Sequence, residues 1–268
     1  MKSEMLDKIV NNTANRRAFM KRAGATGLGL AAMTVLGGSA EKLDAATTFT
    51  DVDILNFALN LEYLEGEFYA VATFGRTLEQ LGIIPPSAVG GPTTGGAMVN
   101  FSGSSVAFLA SALRYDEEQH VILLRNALGS AAVKKPAINL NALGYGFANV
   151  DDFLKLSRQF EDVGVSAYLG AAPLIQSKAY LLTAAEILAT EAQHSGSIRL
   201  EVIQHGVNSP AVDSLDVVPS EQNPYDVNSM ALSIPRSPAQ VLNIVYAGGK
   251  CSGGFYPSGM NGTIVCRS

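Results

Sequence analysis

Two ionisable residues interrupt an otherwise apolar helical stripe, and they constrain the fold more than any other feature of this 268-residue sequence. The stripe steps alternately by four and three residues, the spacing of side chains on one helix face. Its members are Val106, Ala110, Leu113, Glu117, His120, Leu124 and Ala127. Burying a lone carboxylate in such a face costs on the order of several kcal/mol. The fold must therefore bring compensating groups to Glu117.

Hydrophobic periodicity predicts four long helices. The first, second and fourth cover residues 51–74, 104–128 and 177–204. The third begins at residue 151 or 152 and is interrupted near Pro173. Asp51 or Asp53 is the predicted N-cap of the first helix. The link between the second and third helices, of about 20 residues, can run the length of a bundle. We expect an all-α four-helix bundle with one long crossover at residues 50–205, and an irregular C-terminal extension packing on it at 206–268.

Each predicted helix places one carboxylate on its inward stripe. These are Glu62, Glu117, Glu161 and Glu191, and histidines follow two of them after three residues, at His120 and His194. Glu-x-x-His on two helices with a lone Glu on the other two is the ligand pattern of di-iron and di-manganese bundles. Four carboxylates would balance two divalent cations. Such mixed ligation suits Fe or Mn, and Zn can bind it too. The alternative is a set of solvated or salt-bridged helix residues.

Several segments resemble the ferritin-like superfamily, and within it the ferritin-like-domain or desiccation-related branch. They are DVDILNFALNLEYLEGEFY, YDEEQHVILLRNALG, FEDVGVSAYLGAAPLI, TAAEILATEAQHSGSIR and GGFYPSGMNG, within residues 50–265. Relatives carry Leu-Asn before the first-helix ligand and an aromatic residue seven positions after it. Leu55-Asn56 and Tyr69 therefore favour Glu62 as the ligand, with Glu65 as the alternative.

The resemblance implies redox chemistry at a metal pair: iron oxidation, peroxide reduction or O₂ activation. Tyr69 and Tyr168 lie on the stripes, where they can hydrogen-bond to ligands or act as ordinary core tyrosines. The predicted protein is a di-metal oxidoreductase of ferroxidase, peroxidase or catalase type, serving oxidative or iron stress defence. The alternative is a non-catalytic structural or desiccation-protective protein. The long loops and the extension argue against iron storage in a shell.

The N-terminal residues 1–45 have the pattern of a twin-arginine export signal. Arg16 and Arg17 precede a Gly- and Ala-rich, weakly apolar stretch. We expect the export machinery to recognise it and cleavage to leave a periplasmic or extracellular chain starting between Glu41 and Thr48. Without cleavage the segment would be a membrane anchor.

Composition indicates the general class of the protein and the partners to expect. Hydrophobic residues make up 47% and charged residues 16% of the chain, and the formal net charge is −5. A globular protein without a nucleic-acid partner is expected, and its oligomeric state is left open. We predict that Cys251 and Cys266 form a disulfide in the exported protein, whereas a reducing cytosol would leave two free thiols.

Overall fold

The computed structural model describes residues 49–267, and the predicted export signal lies outside this range. Its main helices are α1 (Asp51–Phe74), α2 (Val106–Leu128), α3 (Val150–Ala171) and α4 (Lys178–Gln204). Helix α1 packs mainly on α2, and α3 mainly on α4. The α2–α3 connection links the two pairs, which confirms the predicted all-α bundle with one long crossover. Within residues 49–267, none of the helices has the length and apolar character that crossing a membrane requires.

Helix α1 begins at Asp51 as predicted, but its N-cap is Thr50 and not Asp51 or Asp53. Thr50 is the N-cap, because its hydroxyl accepts from the Asp53 backbone N–H at 3.2 Å and the Asp53 carboxylate accepts from the Thr50 N–H at 2.8 Å. Asp51 instead accepts from the backbone N–H groups of Gln176 and Ser177, both at 2.8 Å. This carboxylate therefore ties the start of α1 to the start of α4.

The α1–α2 and α2–α3 connections pair with each other. Strand β1 (Thr93–Thr94) pairs in parallel with β2 (Ile138–Asn139). Beside them the buried Lys135 ammonium donates to Thr93 Oγ1 at 2.8 Å and lies 3.5 Å from the Glu67 carboxylate of α1. The pairing and the buried cation hold both connections against α1.

The C-terminal extension contains one short helix that the sequence analysis missed. Helix α5 (Pro238–Val245) begins with a capping box formed by Ser237 and Gln240. It packs against α3 and buries Val241 and Leu242. Eight residues are too few for a distinct periodic pattern, so only the Ser-Pro start signal was available.

A disulfide joins Cys251 and Cys266, as predicted. The intervening segment lies on the bundle through two buried aromatic residues. The ring centroid of Phe255 is 5.0 Å from that of Phe160 in α3. The Tyr256 hydroxyl donates to the Asn60 carbonyl of α1 at 2.7 Å. The extension therefore contacts both helix pairs.

Three buried arginines stabilise the bundle, the extension and the contact between them. Their ion pairs are Arg158–Asp216 at 2.6 Å, Arg199–Asp162 at 2.6 Å and Arg236–Asp213 at 2.8 Å. Arg158 and Arg199 lie on α3 and α4, and both donate to backbone carbonyls of the extension as well. Because these charges are paired and hydrogen-bonded, their burial is tolerated.

Candidate metal centre

The six predicted ligand side chains meet inside the bundle. Glu62 comes from α1, Glu117 and His120 from α2, Glu161 from α3, and Glu191 and His194 from α4. The four glutamates are at most 1% exposed, and the two histidines are each 7% exposed. A spacing of three residues puts each Glu-x-x-His pair on one helix face, and packing of the four stripes brings the faces together.

These residues form two overlapping groups. The first is Glu62, Glu117, His120 and Glu191; the second is Glu117, Glu161, Glu191 and His194. Within each group the available ligand atoms lie within 4.8 Å of one another, so each group could hold a metal ion. Glu117 and Glu191 belong to both groups, and each has two oxygens.

Distances between the donor atoms match a shared coordination sphere. His120 Nδ1 is 3.3, 3.1 and 3.3 Å from the carboxylates of Glu62, Glu117 and Glu191, and His194 Nδ1 is 3.0 and 3.3 Å from those of Glu117 and Glu161. Two ligand atoms at a right angle, each about 2.1 Å from one ion, lie about 3 Å apart. The spacing around both histidines is therefore compatible with a shared metal ion.

Several of these atoms lack a hydrogen-bond partner. They are Glu62 Oε2, Glu117 Oε1, Glu161 Oε2, both carboxylate oxygens of Glu191, and His194 Nδ1. Buried polar atoms are normally satisfied, and leaving them unpaired is costly. Across residues 49–267, the ion-pair partners of these four carboxylates are the two histidines, with no lysine or arginine among them. The donor set therefore fits a bound cation.

Without a cation, the carboxylates hold protons more tightly than usual. Burial raises the pKa of Glu62 to about 7, although the nearby His120 opposes the shift. Burial and the charge of Glu117 raise the pKa of Glu191 well above its ordinary value. Glu117 is the exception, because contacts with His120 and His194 outweigh burial and lower its pKa. Protons and metal ions must therefore compete for most of these carboxylates.

The His194 ring spans the edge of the centre. Burial alone lowers its pKa, but the charge of Glu161 and the contact with Glu117 outweigh burial and raise the pKa to about 12. The outer nitrogen, Nε2, lies 3.1 Å from Asp116 Oδ2. A carboxylate behind a ligating histidine keeps a proton on the outer nitrogen and leaves the inner one for a metal. Asp116 was not among the residues predicted from the sequence, where its only signal is its position beside Glu117.

Tyr69 and Tyr168 each contact one carboxylate of the cluster. The Tyr168 hydroxyl donates to Glu62 Oε1, and the Tyr69 hydroxyl donates to Glu161 Oε1. Tyr69 also lies 2.6 Å from Ser157 Oγ. In both glutamates the other oxygen, Oε2, is the unpartnered one. The tyrosines therefore determine which oxygen each glutamate turns toward its neighbours.

A hydrogen-bonded group between α3 and α4, formed by Asp162, Ser195 and Arg199, was not predicted. Asp162, next to Glu161, accepts from Ser195 Oγ at 2.6 Å and from Arg199 Nη1 at 2.6 Å. Burial raises the pKa of Asp162 to about 6, against the opposing charges of Arg199 and Arg158. This hydrogen bonding fixes α3 beside α4 next to the residues of the cluster. No sequence spacing signals it, because its members lie on two helices.

Comparisons with known proteins agree with this geometry. Residues 50–204, more than half of the chain, match the family model described as Ferritin-like domain. The ferritin-like catalase Nec2 of Nesocodon mauritianus is 24% identical over 273 aligned residues, covering 81% of this chain and 85% of that protein. The desiccation-related protein PCC13-62 of Craterostigma plantagineum is 28% identical over 167 residues, covering 56% of this chain and 52% of that protein. The chain thus aligns with about half the length of the second relative.

Proposed function

Because the chain belongs to the ferritin-like domain family, we propose that it is an exported di-metal oxidoreductase acting on a small oxidant, with hydrogen peroxide as the favoured substrate. One observation carries the proposal: two groups of buried ligand atoms share Glu117 and Glu191. A carboxylate common to both groups can touch two ions at once. Fe or Mn would supply the redox chemistry when bound, whereas Zn fits the ligands but is redox-inert.

In this proposal each ion has ligands of its own and shares two carboxylates with the other ion. Glu62 and His120 would hold one ion, Glu161 and His194 would hold the other, and Glu117 and Glu191 would serve both. Four carboxylates neutralise two divalent cations, so the histidines stay uncharged and their Nδ1 atoms are free to bind. Tyr168 and Tyr69 orient the outer glutamates. The assignment makes use of each of the unpartnered atoms of these six residues.

A small substrate is favoured by the burial of the cluster. Its most accessible part is the edge where His120 and His194 lie with ring centroids 6.1 Å apart, between α2 and α4. The Asp116 side chain at this edge is 40% exposed, whereas the glutamates behind it are shielded. Such an edge suits a molecule the size of O₂ or peroxide. Similarity to a ferritin-like catalase over most of both chains supports peroxide as the first substrate to test.

We expect protein purified with Mn or Fe to contain about two ions per chain and to release O₂ from hydrogen peroxide. Elemental analysis and an oxygen electrode measure the two quantities on the same sample. Glu118→Gln is the matched control, because Glu118 is buried next to Glu117 but pairs with Arg114 at 2.6 Å. Consumption of O₂ on addition of ferrous ion, without O₂ release from peroxide, would instead identify a ferroxidase. Absence of metal after loading would contradict the proposal.

A non-catalytic protective role is the second candidate. The similarity to a desiccation-related protein supports it, although the alignment covers only about half of that relative. In that case the metal pair would stabilise the bundle without turnover. Bound metal together with no oxygen release and no oxygen uptake would favour this alternative.

Export is part of the proposal and concerns residues outside the described range. The paired Arg16 and Arg17 motivate it, and the Cys251–Cys266 disulfide supports an oxidising compartment. We expect Arg16→Lys combined with Arg17→Lys to retain a longer precursor in the cytoplasm. Fractionation and mass measurement of both forms test this, and normal export of the double variant would exclude the twin-arginine route.

A further inference from the structure

Glu65 is a fifth buried carboxylate beside the metal centre. It follows Glu62 by three residues on α1, so the two side chains share a helix face. It is only 5% exposed. It belongs to neither of the two groups that could hold a metal ion, and its burial therefore needs another explanation.

Other buried glutamates nearby have cationic partners. Glu67 lies 3.5 Å from the Lys135 ammonium, and Glu118 lies 2.6 Å from the Arg114 guanidinium. Glu65 instead lies close to another acid, because its Oε1 atom and the Oε2 atom of Glu191 both border the position that a Cβ atom at Gly164 would take. Among residues 49–267, Glu65 forms no ion pair with a lysine, arginine or histidine, unlike Glu67 and Glu118.

A glycine on α3 makes room for this carboxylate. A Cβ atom at Gly164 would lie 2.5 Å from Glu191 Oε2 and 3.4 Å from Glu65 Oε1. The two carboxylates therefore converge on the space that a side chain at position 164 would fill. Glycine is unfavourable inside a helix, so its presence here is explained by this close approach.

We propose that Glu65 is a seventh protein ligand, which binds the metal pair beside Glu191 on the Gly164 side. This inference rests on the proposed di-metal function. Five carboxylates carry five negative charges, whereas two divalent ions supply four positive ones. A bound Glu65 would therefore favour oxidation of the pair, with hydrogen peroxide, the substrate of the proposed function, as the oxidant.

Substitution of Glu65 by glutamine tests the ligand role directly. We expect Glu65→Gln to weaken binding of at least one Mn²⁺ ion tenfold or more in titrations of the metal-free full protein. We also expect it to raise the reduction potential of the loaded centre, because the oxidised pair loses a negative neighbour. Glu67→Gln is the control, since Glu67 is also buried on α1 but faces Lys135, and the Mn²⁺ affinity of this variant should change less than twofold.

A second variant separates ligation from charge. Glu65→Asp keeps the charge but withdraws the carboxylate by one methylene, so a ligand role predicts weaker Mn²⁺ binding and an altered visible spectrum of the Co²⁺-substituted protein. Circular dichroism verifies that each variant is folded. Unchanged affinity and an unchanged spectrum in both variants would overturn this inference while leaving the di-metal proposal intact. Failure of the wild type to bind metal would overturn both.

Discussion

Glu191→Ala is expected to abolish binding of both metal ions, whereas Glu62→Ala or Glu161→Ala should abolish chiefly one. Glu191 contributes to both groups of ligand atoms, and both of its oxygens are buried without a hydrogen-bond partner. Glu62 and Glu161 each contribute to a single group. Loss of a shared carboxylate removes a ligand from each ion and leaves the remaining charges unbalanced.

The number of ions per chain distinguishes these outcomes. Elemental analysis after loading with Mn²⁺ and desalting should give about two ions for the wild type, about one for the Glu62 and Glu161 variants, and close to none for Glu191→Ala. Glu117→Ala should behave like Glu191→Ala, because Glu117 is the other shared residue. Glu118→Ala provides a control from the same turn of α2. Equal loss in all four cluster variants would contradict the division into two sites that share ligands.

Metal loading is expected to raise the melting temperature more at pH 8 than at pH 5. The pKa of Glu62, Glu65, Glu161 and Glu191 is raised in the folded metal-free protein, with burial the first cause in each case. When the pKa of an acid is higher in the folded than in the unfolded protein, the folded protein loses stability as the pH rises above the unfolded pKa, here about 4.5. For Glu62 this loss extends to about pH 7.

The histidines change stability in the same direction. The neighbouring carboxylates outweigh burial and raise the pKa of both His120 and His194. Their contribution is fully present below the unfolded value, about 6.5, and is lost as the pH rises through the folded pKa. The pKa of Glu117 is lowered, so its contribution to stability is lost only as the pH falls below about 4.5. Glu117 therefore does not change the stability between pH 5 and pH 8.

Metal binding reverses this trend, because the ligands bind in their deprotonated form. At a free metal concentration about 1,000 times the dissociation constant, binding adds about 4 kcal/mol to the free energy of unfolding. For a domain of this size that corresponds to a rise of roughly 8–16 °C. Thermal melts with and without Mn²⁺ at both pH values measure the effect. Glu191→Ala should show little metal-dependent shift, and a shift independent of pH in the wild type would contradict the proton competition.

Local patterns were sufficient for the main architecture. The apolar stripes predicted four helices, and each observed helix falls within a few residues of the predicted range. The same stripes carry the four glutamates and two histidines that meet in the bundle. The disulfide was also predictable, since a Gly-rich segment with only two cysteines allows one intramolecular pairing.

Helix ends and short elements were less predictable. Thr50 and Asp51 are both good N-cap residues, but Thr50 caps α1. The Asp51 carboxylate instead binds the backbone at the start of α4. Helix α5 is too short for its period to be recognised. Its position depends on burial against α3, which no local pattern encodes.

The sequence alone determined which side chains face the core of each helix, because a period of 3.6 residues is a property of the local backbone. Only the tertiary structure decided how those faces combine. It joined Glu117 and Glu191 to both groups of ligand atoms, set Asp116 behind His194, and brought Glu65 to the space above Gly164. These contacts join residues from different helices, and helix packing rather than sequence spacing determines their distances.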